Sequence, residues 1–515
     1  MKALAGWSYR RKLFVLIAAF FVIRLLLAFT VELGNDESYY WLYAQQLKLN
    51  YFDHPPMVAF WIRIFSFNLS LQQFPGFLRL GSVIGCSLST LFIYNCVKTL
   101  STERAAWFAA CLYNASFYAG ITAGIFIIPD SPQMVFWTLS MWLLAKISTD
   151  EKNWSNWIWF GVTSGLCIMS KVHGVFLWVG VGLYVLFYKR LWLANVRLYV
   201  AVAISIAICV PILLWNIRYN FVTYSFDSQR INIHGFARNW YTFLRQACGQ
   251  LLINNPFNVI LILIALLTWR HHKMKRLPAL TIFNFTGLLL ASIILFISLY
   301  RADTLPHWSG PAYVSLIPLA AIWLDGRNKK RTGPKVLYWA LCGHILFLML
   351  STLAIYHYPG NLGSKGNMDL GTDDLTLDWY GWKDAGKQFD SLYEKDVRDG
   401  VMPKNSPVVC YKWWGAHQEY YFCRPAGIQM IGLGNIINLH EYMWMNRYRK
   451  SEVNFQSAYC IVPSDELYDA RSLYGVYYGK IDPAAEIKIS RGGKPAHNFY
   501  IYRLTGWKND LPEIH

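Results

Sequence analysis

"KLFVLIAAFFVIRLLLAFTV", residues 12–31, decides the class of this chain. Roughly 18 or more consecutive residues of this kind read as a transmembrane helix. The run is too long for the core of a signal peptide, and no small-residue cleavage site follows it. A retained membrane span is therefore expected. Ten further apolar runs follow, at about 78–98, 105–127, 132–148, 155–170, 174–188, 198–215, 249–269, 278–299, 310–324 and 336–356. Composition agrees. The 515 residues are 55% hydrophobic and 15% charged, against about 25% charged in an ordinary soluble protein.

The net charge of +18 would suit nucleic acid, but its distribution argues against such a partner. With the N-terminus cytoplasmic, eleven spans place Lys2, Arg10, Arg11 and Lys12 inside, with Lys98 and Arg104, Lys146 and Lys152, and Lys189, Arg190 and Arg197. Arg270, Lys273, Lys275 and Arg276 fall inside too, as do Arg327, Lys329, Lys330, Arg331 and Lys335. This is the positive-inside pattern. It puts residues 32–77 and everything after 357 outside. The expected fold is a polytopic α-helical membrane protein. Residues 1–356 form its membrane domain and residues 357–515 an external α/β domain. In that domain "SPVVCYKWW", "IQMIGL" and "SAYCIVP" read as strands, "GAHQEYYF" as a helix, and "AEIKISRGGKPAHNFYIYRL" as a closing hairpin. "GNLGSKGNMDLGTDD", residues 360–374, reads as the linker. Of the ten cysteines, Cys410, Cys423 and Cys460 lie in this domain, where a disulfide is permitted. The spacing of Cys410 and Cys423 allows a bridge without demanding one.

The first outer loop, "ELGNDESYYWLYAQQLKLNYFDHPPMVAFWIRIF" (32–65), concentrates Glu32, Asp36, Glu37, Asp53 and His54. Asn35 is the expected helix N-cap, with Asp36 and Glu37 in a first turn that favours acids. The helix it opens is amphipathic enough to lie along the membrane surface. His54 precedes proline and should be extended. Pro56 suits the first turn of a second surface helix over 57–67. Further charged groups fall on the same side: Asp130 in "IIPDSP", Lys171 and His173 in "SKVHG", and Arg301 and His307 in "RADTLPHWSGPAY". Charged groups at membrane depth are costly and are functional candidates by default. Arg218, Arg230, Arg238 and Arg245 lie outside, against the inside bias. Cations there suit an anionic ligand, and guanidinium groups suit phosphate.

These motifs occur in a telling order. "NDESYYWLYAQQL", "YFDHPPMVAFWIRI", "IIPDSPQMVFWTLSMWLL", "GLCIMSKVHGVFL", "PILLWNIRYNFVTYSFDSQR" and "LPHWSGPAYVSL" resemble the GT-C superfamily of lipid-linked-sugar glycosyltransferases. The likeness is to bacterial relatives of the dolichyl-phosphate-mannose protein mannosyltransferases and the lipid A aminoarabinose transferases. "LDWYGWKDAGKQF" is also similar to that bacterial group, and the likeness runs from about residue 1 to 505.

The resemblance implies a donor sugar on polyprenyl phosphate and an acceptor hydroxyl on lipid A, another surface glycan or a protein. It makes Asp36 the general base, a role an ionised carboxylate suits, with Glu37 orienting or supporting. The leaving group is a phosphate whose growing charge fixed cations stabilise. Lys171 is the first candidate, followed by Arg230 and Arg301. The substrate-binding set implied is Asp53, His54, Asp130, Lys171, His173, Arg230, Arg301, His307, Trp308 and Tyr313. His54 stands where relatives carry a more basic residue, which weakens any phosphate role at neutral pH. A single displacement would invert the anomeric carbon. No nucleotide-binding signature is present. No compelling metal-ligand spacing appears, although a divalent ion near Glu37, Asp53 and a histidine stays open. Two rival readings use the same residues: a transporter or flippase of a lipid-linked anion, and a GT-C oligosaccharide ligase. The setting implied is a bacterial inner membrane.

Overall fold

A computed structural model describes residues 6–233, 235, 237–268, 277–327, 334–449 and 453–508. The expected inner basic groups at Lys2, 270–276 and 329–331 lie outside the described residues. The chain packs as two units. The first comprises residues 1–29 and 47–346, the second residues 30–46 and 347–515.

The first unit is helical. It holds most of α1 (Tyr9–Thr30), with α3 (Met57–Phe65), α4 (Pro75–Leu100), α5 (Glu103–Ala115), α6 (Asp130–Thr149), α7 (Trp154–Ser170) and α8 (Val175–Phe187). It continues through α9 (Val196–Arg218), α10 (Val222–Ile231), α11 (Trp240–Ile253), α12 (Pro256–Thr268), α13 (Pro278–Ser298), α14 (Gly310–Arg327) and the first half of α15 (Lys335–His357). Five of these, α1, α4, α9, α13 and α15, are long and apolar enough to cross a membrane unaided. The expected span at 249–269 is not one helix, because α11 and α12 meet at a bend of 100°. The cause is the Asn254-Asn255-Pro256 junction. Asn255 takes a left-handed backbone, φ 66°, and the ring of Pro256 cannot continue α11. The Asn255 amide then caps the end of α5 and ties it to α15, donating to Ala115 O (2.9 Å) and Ala340 O (3.1 Å). The expected span at 105–127 is also interrupted. Helix α5 ends at Ala115, and a π-turn follows over Tyr118–Thr122.

The second unit contains a five-stranded sheet in the order β2-β1-β3-β5-β4. Strands β1 (Val408–Cys410), β2 (Met430–Gly432) and β3 (Ser457–Pro463) are parallel, as their helical crossovers require. The hairpin of β4 (Tyr478–Arg491) and β5 (Lys494–Trp507) pairs antiparallel to β3. It turns at Gly492 and Gly493, both at positive φ, as "RGGK" predicts. All ten cysteines are free thiols.

The stretch after α1 belongs to this second unit. Helix α2 (Asn35–Gln45) is capped by Gly34 rather than Asn35, which is its first helical residue. It does not present one apolar face to a membrane surface. Eight consecutive residues, Glu37 to Ala44, are buried. The reason lies in what surrounds it. The Leu33 amide donates to the Tyr421 hydroxyl (2.6 Å), and the Leu33 carbonyl lies 2.9 Å from His417 Nε2. Glu32 accepts from the amides of Trp382 and Lys383 (3.0 and 3.3 Å). There it serves the positive N-terminal end of α16 (Trp382–Arg398).

Candidate active site

In the first unit, short irregular segments between helices carry the polar groups. Lys171 follows the last residue of α7 in an extended conformation, φ −158° and ψ 139°. This turns its side chain out of the helix line, and a 3₁₀ turn, Val172–Gly174, carries His173 directly after it. Asp130 opens α6. The Lys171 ammonium donates to Asp130 Oδ2 at 2.7 Å, with Lys171 and Asp130 only 4% and 1% exposed. The other carboxylate oxygen accepts from the Tyr118 hydroxyl at 2.8 Å. Asp130 occupies one of the ammonium's three donors. Burial of either charge alone would be strongly unfavourable, so each requires the other.

A second strand of the site comes from α10. Asn50 Nδ2 donates to the Thr223 hydroxyl (3.1 Å), which itself donates to Tyr51 O (3.2 Å). Phe52 packs on Phe226 with ring centres 4.8 Å apart. This ties the "YFDHPP" turn to α10 and brings Asp53 and His54 into its field. Arg230 lies over the rings of Trp308 (5.1 Å) and Phe226 (5.6 Å). Among the described residues no carboxylate pairs with it. Half-buried Asp227, which sequence reasoning passed over, is pushed up to about 7 by burial, with the nearby Asp53 charge adding to the shift.

Three histidines face this set. Burial, with the Lys171 and Arg230 charges, lowers His54 to about 4, against the pull of Asp53. Burial and Lys171 lower His173 to about 3 and His307 to about 4. All three are neutral at pH 7, so they offer hydrogen bonds rather than charge. His173 faces Trp308 with ring centres 6.4 Å apart. The unit thus brings together Asp53, His54, Asp130, Lys171, His173, Arg230, His307 and Trp308. Arg301 pairs with Asp303 (2.8 Å). The Tyr313 hydroxyl donates to Gln250 Oε1 (3.2 Å).

An apolar groove of about 740 Å³ runs between α8 and α9. Ile168 and Val175, on either side of the Lys171 turn, line it, with Tyr224 of α10 and Leu193 and Leu198 further along. The same groove therefore touches the segments that carry Lys171 and Arg230.

In the second unit, Asp36 is exposed at the start of α2, whereas Glu37 is 3% exposed. Glu37 Oε2 accepts from the Gly34 amide at 3.0 Å and fixes the first turn. Asp378 Oδ1 accepts from the Asn35 amide at 3.0 Å. A Cβ at Gly34 would stand 2.7 Å from Asp378 Oδ2 and from Trp379 Nε1, so a larger residue would have to displace these side chains. Burial raises the Asp378 carboxyl to about 8, with Asp36, Glu37 and Asp465 adding to the effect. Nothing local in "LTLDWYGW" announces that role. Among the described residues, no three or more His, Cys, Asp or Glu side chains are grouped to hold a metal ion.

Comparison with known proteins gives a consistent picture. Residues 53–215 match the family model of the dolichyl-phosphate-mannose-protein mannosyltransferases. The undecaprenyl phosphate-alpha-4-amino-4-deoxy-L-arabinose arabinosyl transferase 2 of Proteus mirabilis is 29% identical over 176 residues, covering 30% of this chain and 31% of that protein. The lipid A galacturonosyltransferase RgtD of Rhizobium johnstonii is 24% identical over 293 residues, covering 56% and 60%. The chain thus spans about a third and three-fifths of these two curated relatives. The crystal structure of ArnT from Cupriavidus metallidurans bound to undecaprenyl phosphate superimposes with a TM-score of 0.64 at 13% identity, covering 97% of this chain and 100% of that one. The apo form of the same protein gives 0.61. The chain shares the fold of that ArnT structure over 97% of its length, and residues 53–215 are similar to the dolichyl-phosphate-mannose-protein mannosyltransferases.

Proposed function

We propose that this protein is an inverting glycosyltransferase that moves a sugar from a polyprenyl-phosphate donor to a hydroxyl or phosphate acceptor. The acceptor class is lipid A, another surface glycan or a protein at the outer face of the inner membrane. One observation carries the reading: Lys171 and Arg230 stand on segments that line one end of a long apolar groove. An anionic head with an apolar tail suits both features at once. The relatives named as an undecaprenyl-phosphate-aminoarabinose arabinosyl transferase and a lipid A galacturonosyltransferase, and the ArnT structure bound to undecaprenyl phosphate, support transfer over transport. In this reading the chain crosses the membrane eleven times with its N-terminus inside, and the sheet-bearing unit is external.

The chemistry assigns roles. The two free donors of Lys171 and the fork of Arg230 hold the donor phosphate and stabilise the charge that grows as the glycosidic bond breaks. Neutral His54, His173 and His307 donate hydrogen bonds to the phosphate or sugar. Asp36 takes the proton of the attacking hydroxyl, and Glu37 keeps the first turn of α2 in shape. No nucleotide is required.

The test uses purified full-length protein in nanodiscs with radiolabelled polyprenyl-phosphate sugars and lipid A. Donors carrying 4-amino-4-deoxy-L-arabinose and galacturonic acid are the first two to try. Label appearing on the acceptor is the expected result. Movement of intact donor across sealed vesicles, with no transfer to any acceptor, would establish transport instead.

A further inference from the structure

Arg24 lies within α1 and is 1% exposed. A guanidinium inside a membrane span costs several kcal/mol unless its donors are used. Among the described residues it pairs with no carboxylate. Its Nε donates to Gly120 O (2.9 Å) and its Nη2 to Asn114 Oδ1 (3.0 Å). Asn114 is itself fixed, since its amide donates to the Thr90 hydroxyl (3.0 Å) and Ala110 O (2.9 Å). Arg24 is thus aimed, by neutral groups, at one backbone carbonyl.

That carbonyl belongs to the π-turn Tyr118–Thr122. The turn is closed by the Ala123 amide donating to Tyr118 O (2.9 Å), one residue wider than an α-turn. Such turns recur at functional sites because they re-aim a side chain. Here two carbonyls of the turn accept from other helices: Ala119 O from the Cys86 thiol (3.3 Å) and Gly120 O from Arg24. The surroundings leave the turn no other place. A Cβ on Gly120 would lie 2.5 Å from His344 Cε1. A Cβ on Gly310, at the start of α14, would lie 2.2 Å from the Tyr118 ring. Tyr118 is therefore pressed against bare backbone, and its hydroxyl reaches Asp130 Oδ1. Asp130 Oδ2 holds Lys171.

We infer that Arg24 and Tyr118 are positioning residues: Arg24 braces the π-turn, the turn aims the Tyr118 hydroxyl at Asp130, and Asp130 so held orients the Lys171 ammonium. The path Arg24–Gly120–Tyr118–Asp130–Lys171 is continuous in hydrogen bonds and backbone. The consequence for the donor rests on the reading of Lys171 as a phosphate contact. The orientation of Lys171 does not.

The test uses full-length protein and four variants: Tyr118→Phe, Arg24→Gln, their double, and Lys171→Met. Tyr118→Phe keeps the ring and its packing, so it folds even if Arg24→Gln does not. The first readout is affinity for undecaprenyl phosphate. Each single change at Arg24 or Tyr118 is expected to weaken binding about fivefold to tenfold, as for loss of one ordinary hydrogen bond. The double variant should be no weaker than the worse single, because both changes release the same carboxylate. The second readout needs no donor. Lysines carry ¹³C and ¹⁵N from labelled growth medium, and the Lys171 side-chain signal is assigned by its loss in Lys171→Met. That signal should be displaced in both Tyr118→Phe and Arg24→Gln. An undisplaced signal in folded Tyr118→Phe overturns the inference, as do additive losses of affinity. A displaced signal with Lys171→Met still binding undecaprenyl phosphate at full affinity leaves the positioning in place and removes Lys171 from the phosphate site.

Discussion

Lys171 Nζ lies 2.7 Å from Asp130 Oδ2, and both side chains are almost wholly buried. Breaking such a buried pair from one side costs about 3–5 kcal/mol, while removing both charges costs far less. Asp130→Asn should therefore lower thermal stability in detergent more than the double variant Asp130→Asn/Lys171→Met. A double variant less stable than the single would show that the two charges do not depend on each other.

Asp36→Asn is expected to cut transfer by a factor of roughly 10² to 10⁴, the usual worth of a general base. Asparagine keeps the size of the side chain and suits a helix start, so folding and donor affinity should be retained. Glu37→Gln should be milder in turnover, since the amide oxygen can still accept from the Gly34 N–H. Turnover and undecaprenyl phosphate affinity, measured separately, distinguish these outcomes. Near-native turnover in Asp36→Asn would move the base to another carboxylate.

At the α11–α12 junction, Asn255 holds two carbonyls from a left-handed backbone. Asn255→Ala leaves both carbonyls without that donor and replaces asparagine, which tolerates the left-handed backbone, by a residue that tolerates it less, at a cost of about 1–3 kcal/mol. Asn255→Gly loses the same bonds but not the backbone strain. The melting temperature should fall in the order native, Gly, Ala. Equal melting for all three would mean that the bend is set by Pro256 alone.

Stability should also carry the signature of Asp378. Its folded carboxyl titrates near 8, well above the ordinary aspartate value of about 3.9. Between those values the folded state holds a proton that the unfolded state has lost. Its contribution is therefore full below about pH 4 and disappears as pH rises through 8. Asp36, Glu37, Asp465 and Glu466 are the acids around it, and His417 Nδ1 stands 3.8 Å from Asp378 Oδ1. Asp378→Asn keeps an acceptor for the Asn35 amide and carries no charge. It should be more stable than the native protein at pH 8, with the gain shrinking toward pH 4. A pH-independent difference would remove the protonated carboxyl from the account.

The helices were legible wherever an apolar run was uninterrupted, because length and hydropathy alone dictate a span. The breaks were not. Asn254-Asn255-Pro256 carries a visible proline, but the partners that make the bend worth forming, Ala115 and Ala340, are far away in sequence. Asp130 and Lys171 were readable as charges out of place, and their order as a resemblance. That they pair was not readable, being a matter of how α6 and α7 pack. Tyr118 is one of 33 tyrosines, and only the Gly310 backbone against its ring singles it out. Helix α2 misled for the opposite reason. Its pattern of tyrosines and leucines suits a membrane surface, yet residues more than 300 positions later enclose it.

That enclosure sets an order of events during synthesis. Residues 30–46 leave the ribosome early, but the residues they pack with begin at 347. At about 5–20 residues per second, roughly 15–60 s of translation separates the two. Through that interval the backbone of residues 33–35 has no Asp378, Tyr421 or His417 to hold it, so a nascent or truncated chain can insert its helices while the helix start that carries its proposed base stays without a fixed place. The segments that fix residues 33–35, at 378 and 417–421, are therefore made only after the helices of the first unit, and a chain stopped before residue 378 should lack transfer activity.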